Sequence, residues 1–159
     1  MIKSHKSFMW SCFVIILMLT LFLCWQNSSD STLLTVEACG VVRIVLSAVN
    51  IQTEYSPIFH ILTRKIGHLL IFVILSISCY GAFGTSIRSR KSVITWSLIC
   101  GIAIAVMAEY MQQFFGNREA RIYDAIINVC GIMIGNYIAF KLLPHFKSKH
   151  KSPRKYKTA

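Results

Sequence analysis

The chain has 159 residues, of which 55% are hydrophobic and only 14% charged, and its mean hydropathy is +0.57. A soluble domain carries about 25% charged and about 45–50% apolar residues, so the polar coat of a water-soluble globule is missing and the membrane is the expected solvent. The formal net charge of +11 would point a soluble chain towards nucleic acid, but the placement of the charges argues for lipid and against a nucleic-acid partner.

Crossing a hydrocarbon core of about 30 Å takes roughly 17–25 apolar residues in a helix. The first such run is Phe8 to Trp25, preceded by Lys3 and Lys6 and followed by Gln26-Asn27-Ser28-Ser29-Asp30. It is longer than the apolar region of a signal peptide and no A-x-A-like cleavage site follows it, so a retained helix is predicted. Residues 31–50 are apolar but broken by Glu37 and Arg43; an interfacial helix is expected there, starting near Asp30-Ser31 as caps.

The second span runs from about Ile66 to Phe83, as the inner part of a longer helix opened by the Ser56-Pro57 cap signal. The third runs from about Ser92 to Phe115, and the fourth from about Ile122 to Leu143, stopping at Pro144. The expected fold is therefore all-α and membrane-embedded, with four transmembrane helices and one interfacial helix. One transmembrane domain covers residues 1–143 and a basic tail follows at 144–159.

Charge sets the orientation, because cytoplasmic flanks of spanning helices are enriched in lysine and arginine. In this topology one side holds 12 of the 17 basic residues, seven of them from Lys141 to the end. The other side holds five, Arg43, Arg64, Lys65, Arg118 and Arg121, together with all six acids. Both termini are thus expected in the cytoplasm of a multi-pass plasma-membrane protein. The run from Lys147 to Lys157 reads as an orientation signal lying against anionic headgroups, each basic residue adding about 1 kcal/mol of attraction.

The six cysteines stand singly, without C-x-x-C spacing, inside or beside apolar runs; they read as free thiols, with no zinc site and no cofactor. The residues that need an explanation are polar ones at the outer ends of spans two to four. Residues three or four apart share a helix face. Arg64, His68 and Phe72 make one stripe, Glu109, Gln112 and Gln113 a second, and Asp124, Asn128, Gly131 and Gly135 a third.

Ionisable groups at the middle of a bilayer cost about 2.5–3.5 kcal/mol on insertion scales, so these faces are expected to turn inward and meet. Gly131-x-x-x-Gly135 lets a neighbouring backbone approach closely. The expected product is an outward-facing polar cluster of Arg64, Lys65, His68, Glu109, Gln112, Arg118, Asp124 and Asn128.

Arg64-Lys65-x-x-His68-x-x-x-Phe72, followed by Glu109-x-x-Gln112, Arg118, Asp124, Asn128, Gly131 and Gly135, resembles the VanZ-like family of bacterial membrane proteins. With the Trp25-Gln26-x-Ser28 turn, the resemblance runs from about residue 8 to 143. The sequence departs from the usual pattern at Gly116-Asn117, where Pro-Gly is commoner, and at Arg121, where a small polar residue is usual. The resemblance implies a helical membrane protein of Gram-positive bacteria whose name-giving member is linked to resistance to the glycopeptide teicoplanin. It brings no molecular mechanism.

Three readings of the cluster stay open. In the first, its groups pair with one another and only hold the helices together. In the second, arginine and lysine at the outer leaflet bind an anionic headgroup, from a membrane lipid, a lipid-linked wall precursor or a lipoglycopeptide. In the third, His68 with Glu109 or Asp124 forms a general-base pair of an enzyme that modifies an envelope precursor. No nucleophile stands out, and the cations oppose a metal at His68, Glu109 and Asp124, so binding is favoured over catalysis.

Overall fold

The structure is a computed structural model, and it describes residues 2–25, 28–48, 56–115 and 122–143. Among these residues there are five α-helices and no strand: α1 (Ile2–Trp25), α2 (Ser28–Ala48), α3 (Pro57–Gly84), α4 (Arg90–Phe115) and α5 (Ile122–Leu142). Four of them, all but α2, are long and apolar enough to cross a membrane.

The helix boundaries follow local chemistry. Ser56 caps α3, its hydroxyl accepting the Phe59 N–H at 3.2 Å, and Pro57 supplies a preset φ at the first helical position where no N–H is needed. The opening of α4 is similar but lacks the proline: the Ser89 hydroxyl accepts the Ser92 N–H at 3.4 Å, and the Ser89 carbonyl accepts the Val93 N–H at 3.0 Å. At 28 residues and about 1.5 Å per residue, α3 is roughly 42 Å long, more than the hydrocarbon thickness, so it is longer than one crossing needs. α2 begins at Ser28, two residues ahead of the expected caps, so Asp30 falls inside its first turn rather than before it.

α3 is the central helix. It packs on α1, α2, α4 and α5, most extensively on α5, while α4 also touches α1 and α5. The α3–α5 contact is close because two glycines face it. A Cβ at Gly131 would lie 2.7 Å from the Leu69 carbonyl oxygen, and one at Gly135 would lie 2.8 Å from Ser76 Cβ, with the Val73 carbonyl also in its way. Only glycine admits the neighbouring backbone here.

The interior is built of small and slender side chains, including Ser76, Cys79, Ala82, Ser97, Ala105 and Ala108, around Phe72, Leu75 and Ile132. Large apolar residues such as Ile15, Phe22, Ile58, Ile74, Ile99, Val106 and Met133 point outward. Water would forbid that distribution; lipid permits it, because acyl chains are as apolar as leucine and association rests on packing and hydrogen bonds. Met107 and Tyr110 also face out of the bundle, whereas Phe72, on the same face as Arg64 and His68, is fully buried.

Candidate functional site

Alternating helix directions bring the start of α3, the end of α4 and the start of α5 to one end of the bundle. There Lys65 of α3 donates to Asp124 Oδ1 of α5 at 3.0 Å, the two side chains being 37% and 26% exposed. One turn further along α5, Asn128 is completely buried and its Nδ2 donates to Glu109 Oε1 of α4 at 2.8 Å. Arg64, half-buried beside Lys65, lies near enough to Glu109 for its charge to act on that carboxyl, as does Asp124. Among the described residues Arg64 makes no ion pair or hydrogen bond.

Gln112 is buried at the same end beside the Cys24 thiol, so α1 contributes as well. His68 is half-buried one turn along α3 from Arg64. Lys65, Glu109, Gln112, Asp124 and Asn128 are therefore tied to one another or to adjoining helices, with Arg64 within electrostatic reach. Arg118, with Arg121, Glu119 and the Gly116-Asn117 pair, lies outside the described residues, as do the tail at 144–159 and Gln26 of the turn after α1.

The cluster is the end of a longer polar seam along one edge of α5. Four residues beyond Asn128, the Ile132 carbonyl accepts from Ser76 of α3 at 2.8 Å. Four residues further, Asn136 Nδ2 donates to Ser97 Oγ of α4 at 2.6 Å in a fully buried contact. Positions 124, 128, 132 and 136 thus bond to α3, α4, α3 and α4 in turn. Ser76, Ser97 and Asn136 are not ionisable and carry no charge signal, although the i, i+8 spacing from Asn128 to Asn136 is a signal for one of them.

The opposite end has another character. The Arg90 guanidinium donates to the Phe140 carbonyl and lies 4.0 Å over the Phe140 ring centroid. Trp10 Nε1 donates to Ser86 Oγ at 3.1 Å and its ring meets Phe83 edge-on. Lys6, Arg88, Lys91 and Lys141 are also at this end, and no acid among the described residues is.

What these features define is a helical protein with four helices long and apolar enough to cross a membrane, a mixed-charge cluster at one end and, among the described residues, basic side chains without acids at the other. The family model described as VanZ/LLP1 matches residues 9–144, and the chain belongs to that family. No curated protein and no solved structure matches it.

Proposed function

We propose that this VanZ-family protein sits in the plasma membrane with both termini in the cytoplasm, and that its mixed-charge end faces outward and binds an anionic headgroup. The family supports an envelope role, which we take to be lowered susceptibility to teicoplanin-type glycopeptides in a Gram-positive bacterium. The lysine and arginine asymmetry supports the orientation.

The observation that carries the reading is Arg64. It is half-buried at this end of the bundle and, among the described residues, no carboxylate is bound to it, while its neighbour Lys65 holds Asp124 only through a partly exposed pair that a stronger anion can share. A guanidinium fork and an adjacent ammonium suit a phosphate, pyrophosphate or carboxylate. Such a group belongs to an anionic lipid, to a lipid-linked wall precursor or to a lipoglycopeptide anchored beside it.

The deeper bonds serve the helices instead. Asn136 with Ser97, and Ser76 with the Ile132 carbonyl, are buried and satisfied, and each such interhelical bond contributes about 0.6 kcal/mol on average. The two roles separate in one experiment, a teicoplanin susceptibility assay on cells with and without the chain. Arg64→Gln is expected to remain abundant in membranes and to lose the protection. Protection unchanged in an abundant Arg64→Gln variant contradicts the reading.

A further inference from the structure

In the Glu109–Asn128 contact, Asn128 spends its amide N–H on Glu109 Oε1, and its amide oxygen, equally buried, has no hydrogen-bond partner. A buried acceptor without a donor costs about 1–3 kcal/mol, and in lipid there is no water to relieve it. Turning the amide over does not help, since it sets oxygen against the carboxyl and strands the N–H instead. Among the described residues, the charged and titratable groups that act on Glu109 are Cys24 from α1, Arg64 from α3 and Asp124 from α5, with the polar Gln112 on its own helix. None of them donates to Asn128 Oδ1.

Among the described groups the remaining donor is the carboxyl group itself. A carboxylate only accepts, but a carboxylic acid carries one O–H, and an acid and a primary amide are complementary. The amide N–H meets one carboxyl oxygen and the acid O–H meets the amide oxygen. One proton taken from water onto Glu109 Oε2 satisfies Asn128 Oδ1 and removes a charge from a residue only 9% exposed.

The geometry points to a proton-binding site formed by Glu109 and Asn128, with Glu109 Oε2 carrying the proton and Asn128 Oδ1 receiving its hydrogen bond. A proton needs no cavity, which separates this site from one for a hydroxyl- or ammonium-bearing ligand. Among the described residues of the cluster, proton binding leaves Arg64 and Lys65 against Asp124 alone, a net positive end. Loss of the proton makes it neutral. The inference does not depend on the headgroup reading, and its test involves no lipid or antibiotic ligand.

Infrared spectra of the full chain in phosphatidylcholine vesicles at neutral pH, with and without 13C in the glutamate carboxyls, read the site directly. The expected result is a protonated-carboxyl C=O band that moves with the label, vanishes in Glu109→Gln and shifts in Asn128→Leu. No label-sensitive band in the wild-type chain, or a band that persists in Glu109→Gln, overturns the proposal. Should Glu109→Gln not be recovered folded, dicyclohexylcarbodiimide decides on the wild-type chain, since it adds to protonated carboxyls in apolar surroundings. An adduct mapped to Glu109 supports the site, and adducts confined to other acids overturn it.

Discussion

Asn128 and Asn136 occupy equivalent places on α5, yet their bonds carry different weight. Ser97 keeps a second bond to the Ile94 carbonyl at 3.1 Å, so Asn136→Leu removes one interhelical bond and strands nothing. The expected loss of stability is about 0.6–1.7 kcal/mol. Asn128→Leu leaves the buried Glu109 carboxyl without its amide partner, and is expected to cost about 1–3 kcal/mol more. Detergent-induced unfolding of the two variants in mixed micelles checks the order; equal losses contradict it. At this scale the sequence shows the residues that lipid rejects outright. Lys65, Glu109, Asp124 and Asn128 are legible because charge or amide at an apolar helix end has few explanations. Asn136, Ser97 and Ser76 carry no charge, and a hydroxyl inside a helix can satisfy itself on its own backbone, as Thr20 does on the Ile16 carbonyl, so their cross-helix partners are set by packing alone.

Elements are joined here by closeness. The α3 backbone runs over Gly131 and Gly135, so a side chain at either position must push two helices apart. Gly135→Ala is expected to destabilise by about 1–3 kcal/mol, as overpacking does. Gly67→Ala on α3, where a Cβ meets nothing within 4 Å, is expected to be neutral or mildly stabilising, because alanine favours the helix by about 1 kcal/mol over glycine. Thermal unfolding of both variants in one detergent reads the difference, and a Gly135→Ala variant as stable as the wild type contradicts the packing. The Gly-x-x-x-Gly spacing makes this contact legible from sequence, but not which helix fills it; α3 does so because its residues Leu69 to Ser76 run alongside at the right depth. Helix ends are read less well. α1 begins at Ile2, ahead of the apolar run at Phe8, and α2 at Ser28, because polar residues continue a helix whose apolar part has already nucleated it.

For the whole molecule, the division of charge is the main fact. The described end that carries Arg90, Lys91 and Lys141 has no acids, and the other brings Lys65 and Asp124 together with Glu109 and Arg64 nearby. Alternating helices put three distant stretches of sequence at one end, and that convergence follows from span counting alone. The partners do not: which cation meets which acid depends on helix rotation, which periodicity leaves free by a third of a turn or more. Hence Lys65, and not Arg64, takes Asp124, a choice no spacing rule makes.

Lipid retention tests the binding claim most directly. The full chain is incorporated into vesicles of equal phosphatidylglycerol and phosphatidylcholine, extracted gently, and weighed with its bound lipids by native mass spectrometry. The wild-type chain and Lys141→Gln, altered at the opposite end, are expected to keep phosphatidylglycerol in preference to phosphatidylcholine, and the Arg64→Gln/Lys65→Gln double variant to lose that preference by about tenfold, the equivalent of about 1.4 kcal/mol. A folded double variant that retains phosphatidylglycerol as well as the wild type does contradicts headgroup binding at this end of the bundle.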